Sequence, residues 1–255
     1  MSLAWPYPLW IAHRGAGKLA PENTLAAFRL GAQHGYRMFE CDVKLSRDGV
    51  PFLMHDALLA RTTNAAAQLG QSAAPLAGEH PWATLSQLDA GSWHSRAYAG
   101  ETLATLDNIA AYVIRNGFFL NIEIKPTPGT ECHTGEVVAQ EAARLWRDVA
   151  VPPLLTSFKT ETLEGARSAA PQLPRGLLLD AMRSDWLEIA LQLDCVAIIR
   201  DQLILWDEQS VREAKSAGFR CLSYTVNDAS IAKRLIDLGT DGIITDRVDY
   251  FSPAT

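Results

Sequence analysis

Short apolar runs recur along the chain, and each of them ends in polar or charged residues. Most are nearly continuous in hydrophobicity, which is typical of parallel strands that are covered on both faces. Nine such runs predict strands, at residues 9–14, 38–44, 50–55, 118–125, 154–158, 176–180, 195–200, 220–226 and 242–246.

The segments between these runs have apolar residues at helical spacing. In residues 22–34, for example, Leu25, Phe28 and Ala32 lie on one side, and Gly35 follows as a stop signal. The predicted helices cover residues 22–34, 135–149, 159–170, 184–193, 206–217 and 229–238. This alternation of strands and helices with short connections predicts a parallel α/β fold.

A closed barrel and a doubly wound sheet both fit the alternation. We prefer the barrel, because candidate chemical groups follow several different strands, as they do in TIM-type (β/α)8 barrels. We expect a single domain over residues 1–255. The turn signal Asp48-Gly49 joins two runs without a helix, and nine runs are one too many for eight strands. The barrel should therefore be irregular around its second and third strands.

Residues 57–107 interrupt the pattern. They are rich in Ala, Gly, Gln and Ser, carry Trp82 and Trp93, and lack strand alternation. Connections of this length without secondary structure are usually functional loops or insertions. We expect a small insertion near the barrel mouth.

Composition and charge narrow the function classes. The net charge of −6 counts against nucleic acid or stable membrane association, since both need a surplus of Lys and Arg. No secretory signal or membrane-spanning run is recognisable. Cys41, Cys132, Cys195 and Cys221 form no CxxC pair and are expected to be free thiols. We expect a cytoplasmic protein with a small-molecule substrate, and the oligomeric state stays open.

Carboxylates form the first chemical signal. Glu40 and Asp42 are two residues apart on a predicted strand, so they face one side while Cys41 faces the other. Glu123 repeats the pattern with Lys125. Carboxylates inside a barrel are costly unless a cation lies between them, and Mg²⁺ and Ca²⁺ both prefer carboxylate oxygens. We expect Glu40, Asp42 and Glu123 to bind a divalent metal, with internal salt bridges as the simpler alternative.

Two histidines follow strands, His13 in AHRG and His55 in MHD. A single histidine there is more often structural, but a pair beside a metal can supply the acid and the base that phosphodiester cleavage needs. Arg14 offers a planar fork for phosphate oxygens, and Lys18 adds a cation. The segment Glu22-Asn23-Thr24 fits a helix cap and a brace for the site equally well.

Several motifs occur in a specific order along the chain. They are HRG (13–15), PENT (21–24), ECD (40–42), HD (55–56), EIK (123–125), YTVN (224–227) and GIITD (242–246). Each fragment alone is weak, but the ordered combination resembles the glycerophosphodiester phosphodiesterase family over nearly the whole chain. The opening HRGAGKLAPENTLAAF resembles the cytoplasmic bacterial branch of that family.

The resemblance implies a TIM barrel with a small insertion near its mouth. It implies that a divalent metal, Mg²⁺ or Ca²⁺, is bound by three carboxylates and that two histidines form an acid–base pair; these are Glu40, Asp42, Glu123, His13 and His55. Arg14 and Lys125 match positions associated with phosphate contact. Tyr224 stands where the family often has Trp, so an aromatic wall is kept there.

The implied reaction converts a glycerophosphodiester, such as glycerophosphocholine or glycerophosphoethanolamine, and water into glycerol 3-phosphate and an alcohol. We prefer His13 as the base and His55 as the leaving-group acid. The nucleophile is water or the glycerol 2-hydroxyl of the substrate.

Three other functions share parts of this pattern. A lysophospholipase D-like phosphodiesterase would keep the barrel and metal but would need an exposed apolar rim for acyl chains. A non-catalytic barrel that binds a phosphodiester would be expected to lack a catalytic histidine or carboxylate, and this chain has them all. An aldolase or isomerase barrel would need a Schiff-base lysine, for which Lys125 alone is thin support.

Overall fold

The computed structural model describes residues 5–70, 75–204 and 206–253. Within them the strands in chain order are β1 (Trp10–Ala12), β2 (Met38–Leu45), β3 (Pro51–Leu53), β4 (Phe119–Ile124), β5 (Leu154–Ser157), β6 (Arg175–Leu179), β7 (Ala197–Asp201), β8 (Arg220–Tyr224) and β9 (Gly242–Thr245). All except β3 pair in parallel, and β1 pairs with both β2 and β9. The eight strands therefore close into a ring, and the predicted barrel is confirmed.

Strand β3 explains the ninth apolar run. It pairs antiparallel with β2, with Val43 opposite Leu53, and so lies beside the barrel instead of within it. The Asp48-Gly49 turn joins the two strands, and Gly49 has a φ of 81° that suits this turn. The irregularity expected around the second and third strands is thus a hairpin.

Helices occupy the connections between successive barrel strands. They are α1 (Leu25–Gln33), α2 (Ala65–Leu69), α3 (Trp82–Leu85), α4 (Leu106–Arg115), α5 (Glu131–Leu145), α6 (Thr160–Ala169), α7 (Trp186–Gln192), α8 (Glu208–Ser216) and α9 (Ala229–Asp237). The six helices predicted from the sequence are confirmed, with small shifts at their ends.

Helix α4 was not predicted. It begins after Thr105, whose side chain accepts a hydrogen bond from the backbone of Asn108 in a capping box. Leu106, Ile109 and Val113 are buried on its inner side. This helical spacing is present in the sequence, but it falls where the predicted insertion ends.

Residues 57–107, where the sequence predicts a small insertion, contain regular secondary structure. The segment contains α2, α3 and two short 3-10 turns, at Ala77–Glu79 and Arg96–Tyr98. The segment has a small apolar core of its own, to which the hairpin contributes Phe52 and the insertion contributes Leu85 and Leu88. Because it has its own core, this segment is held in a defined position beside the barrel, as an insertion would be.

Strand alternation divides the barrel interior into layers. An apolar cluster fills the lower part and includes Ile11, Met38, Leu178, Ile199 and Leu222. Polar side chains lie above it, at the carboxyl ends of the strands, where barrel enzymes place their active sites.

Two further features concern the state of the cysteines and the length of the helices. All four cysteines are free, and Cys41 packs outside the ring, in the core between strands and helices, as predicted. No helix in the described ranges has the length and apolar character needed to cross a membrane.

Candidate active site

Three carboxylates converge on the inner face of adjacent strands. Strand β2 carries Glu40 and Asp42, and the β2–β4 register sets Asp42 opposite Glu123. One oxygen from each carboxylate lies within 4.8 Å of the others. Within the described chain, the buried atoms Glu40 Oε1 and Asp42 Oδ1 accept no hydrogen bond. Since an unsatisfied buried acceptor is costly, these oxygens fit a hard divalent cation, which takes carboxylate ligands.

The protonation of this cluster depends on its neighbours. Burial raises the pKa of Glu40 well above its ordinary value, and the nearby charges of Asp42 and Glu123 raise it further. Burial and Asp42 also raise the pKa of Glu123. Burial acts in the same direction on Asp42, but Arg14 and Lys125 outweigh it and lower the pKa of that carboxyl. A divalent cation would favour the deprotonated forms of Glu40 and Glu123, whose pKa values are raised without it.

Two cations border the carboxylates. Arg14 Nε lies 3.3 Å from Asp42 Oδ2, and the Arg14 backbone N–H donates to Glu40 Oε2 at 3.0 Å. Lys125 Nζ donates to Glu123 Oε1 at 2.6 Å and lies 3.6 Å from Asp42 Oδ1. Arg14 also adopts a φ of 51°, a strained conformation that functional sites often contain. Both side chains place positive charge directly beside the three carboxylates.

His13 is held by the last strand of the barrel. Its Nδ1 lies 2.7 Å from Asp246 Oδ1, and its Nε2 lies 3.8 Å from Glu40 Oε2. Asn227 Nδ2 donates to the other carboxylate oxygen of Asp246 at 3.0 Å. Because a carboxylate engages Nδ1, the ring turns Nε2 toward the carboxylate cluster.

His55 is held by its neighbour in sequence and by the insertion. Its Nδ1 lies 2.7 Å from Asp56 Oδ1. Arg61 donates to both oxygens of Asp56, at 2.6 and 2.9 Å, and to both oxygens of Glu22, at 2.8 and 2.6 Å. Glu22 in turn accepts a hydrogen bond from Arg14 at 2.9 Å. A continuous network therefore joins the insertion to His55 through Asp56 and to Arg14 through Glu22.

Burial lowers the pKa of His55, and the charges of Arg14 and Lys125 lower it further, although Asp42 and Asp56 act in the opposite direction. The imidazole is consequently biased toward its neutral form in the free protein. A phosphate anion bound nearby would favour its protonation.

The structure separates the roles of the PENT motif. The Thr24 side chain accepts a hydrogen bond from the Ala27 backbone and caps α1. Asn23 instead binds Asp42 and adopts a φ of 62°, a conformation that asparagine tolerates better than most residues. One residue caps the helix and its neighbour supports the site.

Sequence reasoning missed several residues of the site. Asp246 could have been found from closure of the barrel, which places the last strand beside the first. Lys44 continues the inward alternation of Glu40 and Asp42, is buried, and donates to the Lys125 carbonyl at 3.4 Å. Burial lowers the pKa of Lys44 to about 8. The contacts of Arg61 with Asp56 could not be found, because they depend on the path of the insertion.

The remaining two predicted site residues lie farther out. Lys18 is at the rim, with an 82% exposed side chain and its Nζ 4.0 Å from Asp246 Oδ2. Tyr224 ends β8 on the opposite side of the mouth, where its hydroxyl donates to the Leu179 carbonyl at 3.2 Å.

Comparison with known proteins identifies the family. The model of the glycerophosphoryl diester phosphodiesterase family matches residues 13–250. The chain belongs to this family. A glycerophosphodiester phosphodiesterase of Caldanaerobacter subterraneus subsp. tengcongensis is 30% identical over 240 residues, covering 93% of each chain. One from Bacillus subtilis is 28% identical and covers 95% of this chain and 85% of that protein.

Solved structures agree with the family assignment. An Oleispira antarctica phosphodiesterase, in complex with the product sn-glycerol-3-phosphate, is 36% identical with a TM-score of 0.84, covering 94% of this chain and 93% of that chain. A glycerophosphodiester phosphodiesterase from Agrobacterium tumefaciens is 27% identical with a TM-score of 0.79, covering 97% of this chain and 100% of that chain. The family predicted from the motifs is confirmed, and so is the class of enzyme. The family and the acidic cluster together suggest a divalent metal.

Proposed function

We propose that this chain hydrolyses glycerophosphodiesters to glycerol 3-phosphate and an alcohol, using a divalent metal bound by Glu40, Asp42 and Glu123. One observation carries the proposal: the three carboxylates meet beside two histidines that are each held by a further carboxylate. The glycerol 3-phosphate product in the Oleispira antarctica relative supports the same product here.

In the proposed reaction the chain binds the phosphate and moves two protons. A bound divalent cation supplies Lewis acidity at a phosphate oxygen. Arg14 and Lys125 neutralise charge that develops on the phosphate oxygens in the transition state. His13 accepts the proton of the nucleophile through Nε2, while its Nδ1 stays on Asp246. His55 protonates the departing alkoxide. Water and the glycerol 2-hydroxyl are both available as the nucleophile.

The proposal is tested by incubating the purified protein with glycerophosphocholine, glycerophosphoethanolamine and glycerophosphoglycerol. Glycerol 3-phosphate release is measured after chelation and after addition of Mg²⁺ or Ca²⁺. We expect release only with metal, and the comparison identifies the preferred ion. Release that a chelator leaves unchanged would remove the proposed role of the three carboxylates.

A lysophospholipase D-like activity is a second candidate, because apolar side chains are exposed on segments near the mouth. Leu58 and Trp93 belong to the insertion, and Met182 and Leu203 follow β6 and β7; they are 48%, 38%, 55% and 86% exposed. Such a rim fits an acyl chain. The two activities are distinguished by kcat/KM for lysophosphatidylcholine against glycerophosphocholine, which share a headgroup. The cytoplasmic location remains a prediction from the sequence.

A further inference from the structure

The barrel mouth has two chemically different halves. One half consists of residues in or just after β1, β2, β3 and β4: the two histidines, the metal-site carboxylates, Arg14 and Lys125. The other half consists of two aromatic and two acidic residues at or directly after the ends of β5 to β8: Phe158, Asp180, Asp201 and Tyr224. Phe158 and Tyr224 pack against the inner apolar cluster, and Asp201 and Tyr224 continue the inward alternation of Ile199 and Leu222.

Contacts connect the two halves. Lys125 Nζ, which binds Glu123 at 2.6 Å, lies 5.6 Å from the centre of the Phe158 ring. The Phe158 ring packs edge-on against Tyr224, with 5.7 Å between the ring centres. The β7–β8 register sets Tyr224 opposite Asp201. Phe158 therefore lies beside Lys125, at the expected phosphate position, and Tyr224 lies between Phe158 and Asp201.

The carboxylates of this second half lack cationic partners. Among the residues that the structure describes, neither Asp180 nor Asp201 forms an ion pair, and Asp201 only accepts a hydrogen bond from the Leu203 backbone at 2.7 Å. Burial raises the pKa of the Tyr224 hydroxyl, and the negative charges of Asp201, Asp180 and Glu123 raise it further. In contrast, Asp42, Asp56 and Asp246 are each paired with a cationic or imidazole group.

An open cavity of about 620 Å³ lies beside Phe158 and Asp180, and the rest of its lining includes Arg183, which is paired with Asp185 at 2.7 Å. Aromatic faces and unpaired carboxylates together favour an organic cation over a neutral polyol, because both interact with positive charge. The geometry points to a subsite for the alcohol leaving group formed by Phe158, Tyr224, Asp180 and Asp201, which selects amine-bearing alcohols such as choline and ethanolamine. This inference rests on the proposed function.

The test compares two substrates that share the glycerol end and differ in headgroup charge: glycerophosphocholine and glycerophosphoglycerol. We expect Asp180→Asn and Asp201→Asn each to lower kcat/KM for the choline substrate by about 3- to 10-fold, and for the neutral one by less than about 2-fold. Asp148→Asn makes the same charge change at a side chain that is 86% exposed near the end of α5, and it should preserve the ratio.

The aromatic part is tested with Tyr224→Leu and Tyr224→Phe. Only the leucine should reduce the preference for choline, since phenylalanine keeps the ring face. Circular dichroism checks that each variant folds.

Equal losses on both substrates would show that these residues hold the glycerol end or support the fold, and would overturn the subsite. Unchanged ratios in both Asp variants would overturn it as well. Failure of the proposed function looks different, because the wild-type protein would then release glycerol 3-phosphate from neither substrate.

Discussion

Asn23 and Asp42 are joined by two reciprocal hydrogen bonds. Asn23 Nδ2 donates to Asp42 Oδ2 at 2.8 Å, and the Asp42 backbone N–H donates to Asn23 Oδ1 at 3.0 Å. The amide therefore fixes one carboxylate oxygen and leaves Asp42 Oδ1 directed at the cluster. Residues that orient metal ligands in this way typically change metal affinity by 10- to 100-fold.

We expect Asn23→Gly to weaken divalent metal binding by about 10-fold or more, since glycine tolerates the left-handed φ but cannot hold Asp42. Isothermal titration with Mg²⁺ or Ca²⁺ measures the effect. The matched control is Thr24→Ala, which removes the cap of α1 and should cost about 1 kcal/mol of stability without changing metal affinity. Equal affinities in the two variants would contradict the assignment.

Asp246→Asn should lower kcat by about 10²-fold with little change in KM, because His13 loses the carboxylate that fixes its orientation and tautomer. Steady-state kinetics on glycerophosphocholine measure this effect. Asp241→Asn is the control: Asp241 pairs with Arg220 at 3.1 Å, at the opposite end of β9. That variant should lose stability but keep kcat.

The roles of the two histidines are separated by the leaving group. With a nitrophenyl ester of glycerol phosphate, whose leaving group needs no proton, His55→Ala should recover most of its activity. His13→Ala should lose about 10²-fold or more on this ester and on glycerophosphocholine, since the nucleophile still requires a base. The reverse pattern would exchange the two roles.

Arg61→Ala should lower kcat by about 10-fold, because Asp56 and Glu22 both lose their bidentate partner. Arg61→Lys should recover part of this loss, since lysine keeps the charge without the fork. Arg96→Ala removes the same charge from another exposed arginine of the insertion. If both alanine variants kept full activity, the insertion would only cover the site.

Metal stabilisation should depend on pH. The pKa values of Glu40 and Glu123 are raised in the folded protein, so folding without metal favours their protonated forms and these groups stabilise the fold as pH falls. Metal requires the deprotonated forms. At about 100 times Kd, metal adds about 2.7 kcal/mol, or roughly 5–10 °C in Tm. Differential scanning calorimetry should show a larger metal-induced increase at pH 8 than at pH 5.5.

Much of this molecule could be predicted from its sequence because its main signals are local. Strand alternation alone sets Glu40 and Asp42 on one face, and helical spacing located six helices. The closed ring depended on the β1–β9 pairing, which no local pattern encodes. The hairpin appeared in the sequence only as one strand too many.

Residues that act through others were harder to find. Asp56 follows His55 directly, yet its importance depends on Arg61, which reaches it from the folded insertion. Asp246 is separated from His13 by 233 residues. Asn23 and Thr24 are both favoured helix-capping residues, so the sequence did not show that only Thr24 caps α1. Each of these assignments requires knowledge of which distant segments meet.

The pairing of His13 with Asp246 has a consequence for synthesis on the ribosome. His13 emerges first, but its partner Asp246 directly follows β9, so a nascent chain that already holds most of the motifs still lacks an oriented imidazole. Hydrolytic competence should therefore arise only after residues 13–246 have left the exit tunnel and β9 docks between β8 and β1.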